Sequence, residues 1–130
     1  MQSFKAKTGT SEQRTHDLAE RLLTFAVMAI KATYQFANSP ANLHIGGQLI
    51  RSATSAGANY EEARGAQSRP DFVHKLQIFL KELRESAYWI KLAGRLEFKI
   101  EPTWADLARE SEELVLILSK SVATTKGVAK

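Results

Sequence analysis

Apolar residues return at alternating steps of three and four in four separate runs of this chain, and that period commits it to amphipathic helices. Leu18, Leu22, Phe25, Ala29, Ala32 and Phe36 make the first stripe. The spacing predicts a helix over 12–37, with Ser11 or Thr10 as N-cap and its end at Asn38-Ser39-Pro40, since a residue before proline avoids the helical region. Ser39 then caps a second helix over 40–64, with Pro40 at its first position. Its stripe is read as Leu43, Gly46, Ile50, Ala53, Gly57 and Tyr60, and Gly65 stands where a left-handed C-cap is expected. A third helix over 70–94 opens the same way: Ser68 or Arg69, then Pro70, then Asp71 in the first turn, where a carboxylate suits the helix dipole. Phe72, Leu76, Phe79, Leu83, Ser86, Ile90 and Ala93 form its stripe, and Gly94 ends it. Pro102 begins a fourth helix over 102–123, where Thr103 and Asp106 form a capping pair and the stripe is Trp104, Leu107, Ser111, Leu114, Leu118 and Ser121. No run shows the two-residue alternation of a strand. The expected fold is all-α: one domain over 1–130, an antiparallel up-down-up-down four-helix bundle with flexible tails at 1–11 and 124–130.

The second helix is unusual in content. Gly46, Gly47 and Gly57 each cost about 1 kcal/mol relative to alanine in a helix interior, and Ser52 to Ala58 is a run of seven small residues. Such a helix makes sense if another backbone approaches it closely, either inside the bundle or from a neighbouring subunit.

Several functions are disfavoured. The chain has no cysteine, which removes disulfides, zinc–thiolate sites and thiol nucleophiles and suits a reducing compartment. No stretch is long and apolar enough to span a bilayer, and Met1–Thr15 lacks the apolar segment of a secretory leader, so a cytoplasmic location is expected. His16, His44 and His74 lie on different helices, and the Glu-x-x-His repeat of di-iron bundles is missing. Gly46-Gly47 lacks the lysine and hydroxyl residue of a phosphate loop, and no serine sits in a nucleophile elbow. An enzyme is not expected, and neither is a cofactor or metal.

Charge is distributed unevenly around a net +4. Residues 101–118 carry five acids (Glu101, Asp106, Glu110, Glu112, Glu113) against Arg109 alone. Residues 64–99 carry nine bases, counting His74, against four acids. A chain with a basic and an acidic side attracts polyanions or further copies of itself. The other polar feature is a ridge along the second helix, Arg51, Ser55, Asn59 and Glu62, close to Arg64, Ser68, Arg69 and Asp71. It reads as a structural network of Asn59, Glu62, Ser68 and Asp71 that holds Arg64 or Arg69, or as part of a contact surface.

The order of those residues resembles a known family. From Gly47 to Leu92 the chain carries Gln48-Leu49, Arg51-Ser52, Ser55, Gly57-Ala58-Asn59-Tyr60, Glu62-Ala63-Arg64, Ser68-Arg69, Asp71-Phe72, Lys75-Leu76, Glu82, Glu85-Ser86 and Tyr88-Trp89. This is similar to the bundle proteins encoded in intervening sequences of bacterial 23S rRNA genes, which are related to the accessory variability protein of diversity-generating retroelements. The resemblance implies a ring, commonly a pentamer, and kinship with a basic ring that binds nucleic acid and works with a reverse transcriptase.

The sequence therefore points to a non-enzymatic homo-oligomeric module that contacts RNA or DNA phosphates through Arg51, Arg64, Arg69, Lys75 and Lys81 without reading sequence. The alternative is an adaptor that docks a protein such as a reverse transcriptase. An acidic fourth helix against a basic neighbour is one way such a ring closes.

Overall fold

The computed structural model describes residues 11–96 and 103–125. Four helices follow one another: α1 Ser11–Thr33, α2 Pro40–Arg64, α3 Arg69–Arg95 and α4 Thr103–Thr125. Each packs on two neighbours in the circuit α1–α2–α3–α4–α1, while the diagonal pairs stay apart. Gly46, early in α2, lies beside Thr33 and Phe36 late in or after α1, and Gly57 lies beside Leu22. Lys75 meets Glu62, Ser86 meets Ser52, and Gly94 meets Trp104. Early residues of one helix thus match late residues of the next, as an up-down-up-down bundle requires.

Both proline-led starts form as the sequence implies. Ser39 Oγ accepts the Asn42 N–H at 3.1 Å, and Ser68 Oγ accepts the Asp71 N–H at 3.2 Å. Helix ends depart from expectation. α1 stops at Thr33, not Ala37, because the N–H groups of Tyr34, Gln35 and Phe36 turn back to carbonyls three residues earlier. That tightening swings Phe36 inward, 6.0 Å from the Trp104 ring centroid. Gly65 does cap α2, but at φ −96°, so its conformation is not left-handed. Gly94 lies within α3, which runs on to Arg95 and closes with the Leu96 N–H on the Leu92 and Ala93 carbonyls. Ser11 belongs to α1, and Thr124 and Thr125 continue α4. The expected cap at Thr10, the start at Pro102 and the tail segments 1–10 and 126–130 lie outside the described residues.

The stripes of α1, α3 and α4 form the core as read: Leu22, Phe25, Ala29, Leu76, Phe79, Leu83, Ile90, Leu107, Leu114 and Leu118 are all nearly inaccessible. α2 keeps half of its expected stripe: Gly46, Ala53 and Tyr60 are buried, together with Ile45, Leu49, Ser52, Ala56 and Ala63, whereas Ile50 and Gly57 are half-buried and Leu43 is 65% exposed. The small-residue run turns inward: Ser52, Ala53 and Ala56 are fully buried. It admits α3 so closely that Ser86 Oγ lies 2.8 Å from Ser52 Oγ. Of the glycines, Gly94 is met most tightly, with Trp104 Nε1 3.1 Å from where a Cβ would sit, Gly46 has the Phe36 ring at an ordinary 3.4 Å, and Gly47 faces open space.

Candidate nucleic-acid interface

The four seams of the bundle differ in chemistry. Between α1 and α4, Arg21 Nε reaches Glu110 at 2.7 Å and its Nη2 also binds Glu113. These contacts, the Glu110 hydrogen bond first, hold the guanidinium well above its ordinary pKa. Two acids of α4, Glu110 and Glu113, are thereby engaged within the chain. Between α2 and α3, Arg51 donates to Glu82 at 3.1 Å and to Glu85. Glu85 sits below the usual carboxylate range because Arg51, and then Trp89, hydrogen-bond it. The Trp89 indole donates to it at 3.1 Å. Lys75 lies 3.6 Å from Glu62 across the same seam.

The five cations expected to act together are therefore dispersed. Arg51 and Lys75 are ion-paired in the α2–α3 seam. Arg64 pairs with Glu61 one turn back, at 3.1 Å. Arg69 donates to the Thr125 carbonyl at 2.8 Å, where a cation suits the end of α4. Lys81 makes no ion pair among these, lines the α3–α4 hollow with Ser119 and Val122, and adds a weak Coulombic pull on Glu85 one turn on. The polar residues beside them form local ties and no joint network. Asn59 bonds back to the Ser55 carbonyl, Glu62 takes Lys75, and Ser68 with Asp71 forms the α3 cap.

Lys81 has different companions. Lys81, Arg84, Lys91 and Arg95 follow steps of three, seven and four along α3 with Tyr88 between them, and all five are exposed. Arg84 reaches Ser119 at 3.3 Å; Lys81, Lys91 and Arg95 have no carboxylate within ion-pair distance among the described residues. At 1.5 Å per residue the row spans about 21 Å. Like charges at these spacings repel by a few tenths of a kcal/mol per pair. The row was legible in the sequence as a charged stripe opposite the core stripe, but Arg84, Lys91 and Arg95 were not drawn into the expected site.

Two hollows open beside the row on the α3–α4 seam. One, of about 400 Å³, is lined by Leu80, Lys81, Arg84, Ser119 and Val122 among others. The other, of about 520 Å³, is lined by Arg84, Ala87, Tyr88, Lys91, Glu112, Val115 and Leu116. Arg84 borders both.

The remaining seam, α1–α2, is apolar on its outside. Leu23, Val27, Tyr34 and Leu43 are exposed there, Tyr34 at 75%. Among the described residues no group of three or more acids and histidines is placed to hold a metal ion, and no helix is long and apolar enough to cross a membrane.

A four-helix bundle with two laced seams, one basic seam and one apolar seam is the class of protein that the fold and its surfaces define. The chain belongs to the 23S rRNA-intervening sequence protein family, whose model matches residues 14–120. It is similar to a protein of unknown function from the S23 ribosomal protein family of Bacteroides thetaiotaomicron, known from a crystal structure at 1.70 Å. The two share 35% identity and superpose with a TM-score of 0.72 over 80% of this chain and 96% of that one. No curated protein matches the chain.

Proposed function

We propose that this protein is a non-enzymatic, homo-oligomeric module that holds nucleic acid through its phosphates. The observation that carries the reading is the row Lys81, Arg84, Lys91 and Arg95, a line of cations on the outside of α3 with no carboxylate within ion-pair distance among the described residues. Sequence-independent affinity for nucleic acid comes mainly from such cations displacing condensed counterions. Arg51, Arg64 and Lys75 are already neutralised by carboxylates and contribute little. The copies meet through the apolar outer face of α1 and α2, where Leu23, Val27, Tyr34 and Leu43 stand out from the surface and Gly47, Thr54 and Ala58 leave α2 low enough for a helix to approach. Five copies in a ring is the assembly this reading takes.

Fluorescence anisotropy with labelled RNA and DNA, titrated with salt, tests it. Four phosphate contacts correspond to a log–log slope of roughly −3 for a single strand. Affinity unchanged between about 50 and 300 mM salt contradicts that expectation. Replacing Arg84 and Lys91 by Glu is expected to abolish binding, while Arg51→Gln leaves it nearly intact.

The second reading, an adaptor docking a protein such as a reverse transcriptase, draws on the same apolar α1–α2 face. It expects a defined protein partner to survive nuclease treatment and to be released by Leu43→Glu but not by Arg84→Glu.

A further inference from the structure

Resting on the nucleic-acid reading, we infer that the α3–α4 seam takes an unpaired strand, with Tyr88 as the platform on which a base stacks. Tyr88 is 57% exposed in the middle of the cation row, one turn from Arg84 on one side and from Lys91 on the other. Its ring is fixed from below by Trp89, edge-on at 5.1 Å between centroids. Trp89 is in turn fixed by its hydrogen bond to Glu85 and by His44, edge-on at 5.7 Å. An exposed aromatic ring held in place among cations has the composition of a single-strand site, in which phosphates follow a positive track and bases lie on aromatic faces.

The hollows beside the row favour the same ligand. Each has an apolar floor: Leu80 and Val122 in one, Ala87, Val115 and Leu116 in the other. Leu116 is 63% exposed. A duplex offers this seam only its phosphates, because its base faces are already stacked within the helix. An unpaired strand offers phosphates to Lys81, Arg84 and Lys91 and apolar base faces to the floor. Arg84, bordering both hollows, marks the step from one base position to the next. Glu112 on the far lip is the acid of this groove. Its charge keeps phosphates on the α3 side and its oxygens accept from base amino groups, as carboxylates do from cytosine. The strand therefore runs with its backbone along α3 and its bases toward α4.

Anisotropy with oligo(U), oligo(dT) and a duplex of equal length, using the full chain, tests this. Both single strands are expected to bind at least tenfold tighter than the duplex. Tyr88→Ala is expected to weaken single-strand binding by roughly 5- to 100-fold, the range that loss of one stacked base gives, with the duplex affected less than twofold. Tyr88→Trp, which keeps a π face, is expected to retain binding, and binding is expected to quench fluorescence from Trp89. Circular dichroism confirms that each variant is folded, as an exposed position allows. Equal affinity for duplex and single strands with the steep salt dependence intact overturns the stacking site and leaves the phosphate-binding reading standing. No binding to any of the three overturns both.

Discussion

Two serines meet at the centre of the α2–α3 contact. Ser52 donates to the Leu49 carbonyl at 3.3 Å, and Ser86 Oγ lies 2.8 Å from Ser52 Oγ and 3.1 Å from the Glu82 carbonyl. Both are fully buried; Ser52 gives its proton to its own helix and accepts from Ser86, whose single proton is shared between Ser52 Oγ and the Glu82 carbonyl. Ser86→Ala removes one member and is expected to cost about 1 kcal/mol in denaturant unfolding, within the usual range for a lost internal hydrogen bond. The double variant Ser52→Ala/Ser86→Ala is expected to cost less than the sum of the singles, since neither hydroxyl is then left facing an empty site. The sequence made half of this pair legible: Ser86 falls on the clean α3 stripe, while Ser52 is lost in a run of small residues where every face looks alike. Glu85 carries a pH signature. Its folded pKa lies below its ordinary value because of Arg51 first and Trp89 second. The resulting stability is present above about pH 4.5 and is lost as the pH falls through the lower folded value. Glu85→Gln is expected to lower stability at neutral pH slightly, by at most about 1 kcal/mol because the pair is partly exposed, and to leave the most acidic range unchanged, so that this part of the acid unfolding curve flattens. An acid limb identical to the parent's excludes this assignment.

At the scale of the element, α2 shows what periodicity conveys and what it does not. Proline-led starts, the α3 and α4 stripes and the order of helices were all readable, because Ser-Pro junctions and large apolar residues leave little choice. The face of α2 was only half readable, because glycine, alanine, serine and threonine provide little contrast between faces: Gly46, Ala53 and Tyr60 are buried as expected. The rest of its register follows from Ile45 and Leu49, whose bulk enters the core, and Leu43 is left outside. The candidate site was missed for the opposite reason. Arg51 and its neighbours stand in a conspicuous motif, yet the row of cations without carboxylates among the described residues lies on the least distinctive face of α3. The glycines allow a direct check. Gly47 meets nothing within 4 Å, so Gly47→Ala is expected to raise stability by roughly 0.5–1 kcal/mol through helix propensity. At Gly94 the Trp104 Nε1 is already 3.1 Å from an added Cβ, and alanine there is expected to gain clearly less. Equal gains at the two positions contradict the packing of Trp104 on α3.

In the molecule as a whole, the four seams divide the work. The α1–α4 and α2–α3 seams consume their charges internally, through Arg21 with Glu110 and Glu113 and through Arg51 with Glu82 and Glu85. Glu110 and Glu113 of the fourth helix are thus tied within the chain, and on the proposed reading assembly falls to the apolar α1–α2 face while the α3–α4 seam stays open to nucleic acid. On that reading the two faces lie on opposite sides of the bundle, so a ring built through one would leave the other exposed on every copy. Leu23→Glu and Leu43→Glu act at exposed positions and are expected to change the stability of the single chain by no more than about 0.5 kcal/mol. They place charge in the proposed contact and are expected to reduce the mass seen by light scattering to that of one chain, with the helical signal unchanged. The consequence for binding separates assembly from contact. A strand long enough to cross several copies gains from effective concentration, and its affinity is expected to fall by roughly 100-fold or more in the monomeric variant. A short oligonucleotide that fills one seam is expected to bind parent and variant alike. Loss of the short oligonucleotide as well, from a variant that remains folded, means that the α1–α2 face itself touches the strand, and the division between an assembly face and a binding face fails.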